Sequence, residues 1–252
     1  MKQRQHFLGL EVDTGPYPSF IHEIGKLAKE KGSAYVCVAN VHMLVEAYQE
    51  QEFAKVVNAA DIVTPDGMPI CLGLEHFYGI KQDRVAGMNL LPDLLANAAT
   101  KKIPVYIYGG DPKLKPLFDT YAQTHLPGLD LRGFYCPPFR PLSEKEENQV
   151  VKQINDSGAQ LILVSLGCPK QEKWMAAMKG RINGCMVGIG GAMPVMLGIK
   201  KRAPVWMQKA SLEWLYRLLQ EPARLHKRYL VTNTIFVYLY IKEFFNIRIK
   251  KK

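Results

Sequence analysis

One carboxylate and two glycine turns hold most of the chemistry legible in this chain. Asp66 lies in Thr64-Pro65-Asp66-Gly67, directly after a strand-like run. A carboxylate there faces the crevice in which parallel sheets bind ligands, and is a candidate general base. The competing reading is a Pro-Asp-Gly turn whose carboxylate only accepts from backbone N–H groups. Gly188-Ile189-Gly190-Gly191-Ala192-Met193 is shaped like a dinucleotide-binding turn without its last small residue, and Gly109-Gly110-Asp111-Pro112 is a second glycine turn entering a helix. Backbone N–H groups and a helix dipole at such turns hold anions, so the pair favours a nucleotide ligand. Either turn is equally compatible with a tight strand-to-helix link.

What is missing narrows the chemistry. No Asp-x-Asp occurs in the chain, and that pattern is the usual means of holding a divalent ion across a diphosphate. A bound diphosphate would then be balanced by arginines, lysines and helix N-termini, with no metal and no other cofactor expected. There is no G-x-x-x-x-G-K-[ST] and no G-x-S-x-G, which argues against a P-loop ATPase and an α/β-hydrolase. His42 alone among the histidines follows a strand, and it reads as a satisfied helix N-terminal residue. The five cysteines (Cys37, Cys71, Cys136, Cys168, Cys185) are odd in number and form no C-x-x-C. They read as buried thiols in a reducing compartment.

The elements that must position these groups alternate between short apolar runs and helical patterns. Strands are expected at 33–40, 61–65, 103–108, 129–135, 161–166 and 185–189. Helices are expected at 42–60, 88–100, 112–125, from 144 to 155 and after Pro169, with Ser143 and Glu146 forming a capping box. Continuous apolar strands separated by helices imply an α/β fold: a Rossmann-like, mostly parallel sheet with helices on both faces. Ligands in such folds bind beyond the carboxyl ends of the strands. That rule selects Asn40, Asp66, Gly109 and Gly110, the 167–171 segment ending in Gln171, and Gly188 to Met193.

Charge divides the chain in two. Residues 201–252 contain 12 of the 33 Lys and Arg but only 3 of the 23 Asp and Glu, so nearly all of the net charge of +10 lies there. The same segment is rich in aromatic and branched residues, from Trp206 and Trp214 to Phe244 and Phe245. We therefore divide the chain into a core, 1–200, and a basic helical appendage, 201–252, with helices expected at 205–220 and 223–245. Cations mixed with large apolar groups suit a surface that is both anionic and greasy, such as a membrane or a lipid diphosphate. The plainer alternative is a helical cap packed on the body with solvated charges. The 229–245 stretch is interrupted by polar residues and falls short of the roughly 20 apolar residues that cross a bilayer. No signal-peptide pattern is present at the start, so a cytoplasmic, at most peripheral, protein is expected.

Several segments together resemble the WecG/TagA/CpsF glycosyltransferases (glycosyltransferase family 26). They are Asn40-Val-His-Met, Thr64-Pro-Asp-Gly-Met, Arg84-Val-Ala-Gly-Met-Asn-Leu, Tyr108-Gly-Gly, Leu166-Gly-Cys-Pro-Lys-Gln-Glu and Gly188-Ile-Gly-Gly-Ala in the core, then Arg202-Ala-Pro, Leu212-Glu-Trp-Leu-Tyr-Arg217, Glu221-Pro-Ala-Arg224 and Lys227-Arg228-Tyr229 in the appendage. The resemblance runs in order from about Asn40 to Tyr229. It implies a metal-independent, inverting transfer of a sugar, often N-acetylmannosamine or its uronic acid, from a UDP donor to a sugar on a polyprenyl diphosphate. It further implies Asp66 as general base, Asn40 and Gln171 lining the sugar site, and Arg84 with Arg217 and Arg224 facing the diphosphates. Lys227 and Arg228 would meet the anionic membrane surface. One position departs: family members commonly have Thr where this chain has Val38, which removes a hydroxyl near the donor, so the resemblance does not carry a donor identity over. A homo-oligomer is compatible with it.

Two other classes account for parts of the chain. A nucleic-acid-binding module would use the basic tail but leave the near-neutral body without a role, so no nucleic-acid partner is expected. An NAD-dependent oxidoreductase would use the Gly188 turn, yet it needs an acidic residue about 20 positions later, and 200–209 is basic or apolar.

Overall fold

The computed structural model describes residues 3–30 and 32–250. Met1, Lys2, Lys31 and the end of the basic tail, Lys251 and Lys252, lie outside them. The chain opens with an antiparallel hairpin, β1 (Gln3–Phe7) and β2 (Leu10–Thr14). Its two-residue turn, Leu8-Gly9, has φ of 48° and 94°, as twist-matched hairpin turns require. The body then runs α1 (Tyr17–Lys29), β3 (Ser33–Ala39), α2 (Val41–Gln49), α3 (Gln51–Asn58), β4 (Ile62–Pro65), α4 (Met68–Tyr78), α5 (Gly87–Lys101), β5 (Val105–Gly109), α6 (Leu114–His125), β6 (Leu131–Tyr135), α7 (Glu144–Asp156), β7 (Leu161–Ser165), α8 (Lys170–Met178), β8 (Gly184–Gly188) and α9 (Ala192–Met196). The appendage is α10 (Val205–Lys209), α11 (Glu213–Gln220) and α12 (Pro222–Lys250).

Six strands form one sheet in the order β4-β3-β8-β7-β5-β6. Every pairing in it is parallel. The expected α/β architecture is therefore what the chain adopts. Alternation along each strand divides the core in two. Tyr35, Cys37 and Ala39 of β3 point into one apolar cluster, with Tyr106, Tyr108, Ile162, Val164 and Met186. Ala34, Val36 and Val38 point into the other, with Val105, Ile107, Leu161, Leu163 and Val187. Each such side chain withdrawn from water contributes about 1.5–3 kcal/mol, which is why these strands are apolar at every position and not at every second one.

Two expected helices are broken. The 42–60 segment is split at Glu50, which is extended (φ −126°, ψ 101°) and takes both carboxylate oxygens to Lys173 of α8 at 2.8 and 2.9 Å. The 205–220 segment is split at Ser211, which is left-handed (φ 61°), and Leu212 N–H closes the turn on the Met207 carbonyl at 2.8 Å. The capping box at Ser143 and Glu146 is present as expected.

The appendage packs onto the first apolar cluster. Leu239 of α12 is 6% exposed and belongs to the cluster containing Phe7, Leu74 and Phe77, with Ile235, Phe236 and Tyr240 beside it. Tyr240 lies 4.6 Å from Phe77, ring to ring, and its hydroxyl bonds His76 Nδ1 at 2.9 Å. The opposite side of α12 leaves Leu230, Val231, Val237, Tyr238, Ile241, Phe245 and Ile249 exposed. Among the described residues no helix is long and apolar enough to cross a membrane.

Candidate active site

The carboxyl ends of β4, β3, β8 and β7 lie side by side in the sheet, so the segments that follow them share one edge. Asp66 follows β4 and Asn40 follows β3. Asp66 N–H donates to the Ala39 carbonyl at 2.8 Å, continuing the β3–β4 pairing one residue past the strand. Asn40 caps α2: its Oδ1 accepts from Met43 N–H at 3.2 Å. The cap fixes the amide so that Nδ2 donates to Asp66 Oδ2 at 3.4 Å. Among the described residues no backbone N–H donates to the Asp66 carboxylate, so the plain turn reading does not describe this residue.

Arginines surround that carboxylate. Arg84 Nε donates to the Asp66 carbonyl at 2.6 Å, and its Nη2 lies 3.9 Å from Asp66 Oδ1. Glu213, from the first turn of α11, accepts from Arg84 Nη2 at 2.6 Å and from Arg217 Nη2 at 2.8 Å, one guanidinium on each oxygen. Arg217 also donates to Met88 Sδ at 3.4 Å. Arg202 bonds Asn89 and keeps its Nε buried without a partner among the described residues.

Burial pushes the Asp66 carboxyl above its ordinary value of 3.8, against the pull of Arg84, Arg217 and the Asn40 hydrogen bond; Glu213 adds to the rise. Glu213 goes the other way: burial raises it, but Arg217 and Arg84 outweigh that and leave it below 4.5. Two carboxylates in one cluster are thus driven apart, one towards a proton acceptor and the other towards a fixed anion.

The glycine-turn end of the same edge is built differently. Gln171 is 4% exposed. Its Oε1 accepts from Gly167 N–H at 3.2 Å and from Gly190 N–H at 3.1 Å, while its Nε2 donates to Glu172 Oε1 at 2.7 Å. One buried amide therefore ties the β7 and β8 loops together. Gly188 makes room for it, since a methyl there would stand 2.8 Å from Gln171 Nε2. Gly109 has φ of 101°, and a side chain would meet the Ser165 carbonyl at 2.5 Å. Gly110 N–H donates to that same carbonyl at 2.8 Å. Gly191 is exposed and open. The Gly110 and Gly190 N–H groups expected to face an anion thus already have protein partners.

The remaining expected residues lie elsewhere. Arg224 is exposed and paired with Glu221, which also holds Lys200. Lys227 is exposed. Arg228 is half-buried, with its Nε unpartnered among the described residues and its charge reinforcing the burial that holds His42 down at about 4. That histidine sits 3.3 Å from Glu46, one turn along α2. Val38 is packed in the second core cluster. Among the described residues no three of His, Cys, Asp and Glu come together as a metal site.

The model of the glycosyl transferase WecG/TagA/CpsF family matches residues 5–250. The chain belongs to that family. It is a glycosyltransferase, and the match takes in the appendage as well as the body. An N-acetylglucosaminyldiphosphoundecaprenol N-acetyl-beta-D-mannosaminyltransferase of Bacillus spizizenii is 31% identical over 199 residues, covering 79% of this chain and 75% of the relative. Within this WecG/TagA/CpsF chain, Glu213 is the site residue that sequence reasoning missed. Its signal was the Glu213-to-Arg217 spacing of four, which places both side chains on one helix face.

Proposed function

We propose that the enzyme transfers an N-acetylmannosamine-type sugar, or a related hexose, from a UDP donor to a sugar carried on a polyprenyl diphosphate, with inversion and without a metal, in the assembly of a cell-surface polysaccharide. The observation that carries this reading is the Asp66 carboxylate, raised by burial and set among Arg84 and Arg217 at the strand edge. The name of the Bacillus relative supports the substrate class.

In this mechanism Asp66 takes the proton from an acceptor hydroxyl. The hydroxyl oxygen attacks the anomeric carbon as the bond from that carbon to the UDP oxygen breaks, and UDP leaves with the electron pair. The leaving diphosphate gains charge in the transition state, so fixed guanidiniums beside it lower the barrier more than they tighten substrate binding. Arg84, Arg217 and Arg202 supply that charge where other enzymes use a metal. Asn40 orients Asp66. Gln171 with Gly109, Gly110, Gly188, Gly190 and Gly191 shapes the floor on the other side. Arg224 and Lys227 await the acceptor diphosphate and the anionic surface on the outer side of the appendage. There the exposed apolar row of α12 (Leu230, Tyr238, Ile241, Phe245) would sit against lipid. The core, 1–200, would thus hold the donor, and the appendage, 201–252, would bring the acceptor, with the enzyme peripheral on the cytoplasmic face of the membrane.

The test is a panel of UDP-sugars with a synthetic polyprenyl-diphosphate N-acetylglucosamine acceptor. Free UDP should form one-for-one with a disaccharide lipid, only when both substrates are present, and in excess EDTA. No product from any UDP-sugar would sink the reading. Co-sedimentation with vesicles containing anionic lipid should fall as salt is added, since each Lys or Arg near the surface contributes about 1 kcal/mol through a screened potential.

A further inference from the structure

We infer that Glu213 is a positioning residue for transfer: it takes up the two guanidiniums nearest Asp66, so that neither donates a hydrogen bond to the Asp66 carboxylate, and it thereby keeps that carboxylate a competent base. The inference rests on the reading of Asp66 given above.

The geometry argues it directly. Arg84 Nη2 stands 2.6 Å from Glu213 Oε2 but 3.9 Å from Asp66 Oδ1. The same nitrogen thus has two carboxylates within reach and bonds only one. Arg84 Nε is fixed on the Asp66 carbonyl at 2.6 Å, so the guanidinium is hinged beside the base, and a small rotation would bring Nη2 onto Asp66. Glu213 prevents that rotation. Its other oxygen fixes Arg217 at 2.8 Å. Glu213 is buried, at 8% exposure, so its charge acts at short range with little screening.

Glu213 halves the excess of positive charge around Asp66, leaving two carboxylates instead of one against three guanidiniums. Asp66 faces Arg84 from the loop after α4, Arg217 and Glu213 from α11, and Arg202 from the segment before α10. Cys71 of α4 and the Asn40 amide complete its surroundings. Without Glu213, one carboxylate would face three guanidiniums. It would be a weak base, because each opposite charge stabilises its ionised form. The arrangement also separates two tasks. When a diphosphate enters, it competes with Glu213 for Arg84 and Arg217, not with the base.

The test is the pH dependence of kcat and the donor KM for the full-length enzyme and three variants, using the UDP-sugar that the wild type turns over. Circular dichroism and Tm would confirm that each variant is folded. Asp66→Asn should lose turnover and the acid limb together. Glu213→Gln keeps shape and removes charge. It should move the acid limb to lower pH by about half a unit or more and lower kcat by up to about threefold for each half unit, without raising the donor KM, because two guanidiniums are released for the diphosphate. Glu213→Asp keeps the charge and should return the limb to the wild-type position. A Glu213→Gln enzyme with the wild-type limb, alongside an inactive Asp66→Asn, would overturn this inference and leave Asp66 as the base. Near-normal turnover in Asp66→Asn would instead overturn the reading of Asp66 itself. Should Glu213→Gln not fold, Glu213→Asp decides the matter: a limb that moves with the charge retained overturns the inference.

Discussion

The two ends of one strand edge handle polarity in opposite ways. At the β4–β3 end, Asp66, Arg84, Glu213 and Arg217 come from three separate segments and interact through full charges. At the β7–β8 end, a single neutral amide, Gln171, satisfies two loop N–H groups and is itself held by the buried Glu172. The first end leaves strong groups available to exchange partners, because an ion pair can be traded for a substrate phosphate. The second is closed, because its donors are already bonded and a substrate would have to displace them. Glycine turns are commonly taken as the anion site of an α/β fold. In this protein the Gly110 and Gly190 N–H groups bond the protein itself, and the positive charge at this edge lies with Arg84 and Arg217.

The comparison can be broken first by removing one end. Deleting residues 201–252 takes away Glu213 and Arg217 and uncovers Phe77 and Leu74, so transfer should fall below detection. An active truncated enzyme would show that the charged end is complete without the appendage. Asp66→Asn should lower kcat by about 10² to 10⁴ with little change in UDP affinity by calorimetry. It should also raise Tm at neutral pH. Asp66 has a raised value in the folded protein, so folding is most favoured below the unfolded-state value, and the penalty sets in as pH rises through the folded one. Asparagine escapes that penalty. Leu239→Ala, in the buried row of α12, should cost about 2–5 kcal/mol in denaturant melts and weaken transfer through the docking of the appendage. At the neutral end Gly188→Ala should cost about 1–3 kcal/mol by crowding Gln171, with a smaller effect on kcat than any change at the charged end. If Gly188→Ala reduced kcat as much as Asp66→Asn, the contrast between the two ends would be wrong. The smallest effect should come from excess EDTA, which should leave the rate unchanged.

Much of this was legible in the sequence, for identifiable reasons. The strands were visible because a doubly covered parallel sheet is apolar at nearly every position, and the buried run from Leu161 to Val164 is a plain instance. Asp66 was visible as a candidate because it follows a strand, although Pro-Asp-Gly suits a plain turn equally well and only the partners of its carboxylate separate the two. The break at Glu50 was not, since no Gly or Pro marks it and the lysine that meets it comes from α8. Nor was α4, whose Pro69 and Gly73 resemble loop punctuation although the helix is largely buried between the hairpin and α12. The left-handed Ser211 was equally silent. That turn decides where Glu213 points, so the clamp on Arg84 was hidden with it. Gln171 was singled out by its place after a strand, but only its three hydrogen bonds show that it faces the loops.

If Glu213 and Arg217 serve transfer as proposed, the packing of α11 and α12 on the body also sets when the protein becomes an enzyme. A ribosome delivers all six strands of the sheet by Gly188, and Asp66 is made long before that. Glu213 and Arg217 emerge only afterwards, followed by the α12 residues that grip Phe77. The nascent chain can therefore hold every strand of its sheet while Arg202, Glu213 and Arg217 are still to come, so that on the proposed assignment the sheet is complete before the enzyme can act on any substrate.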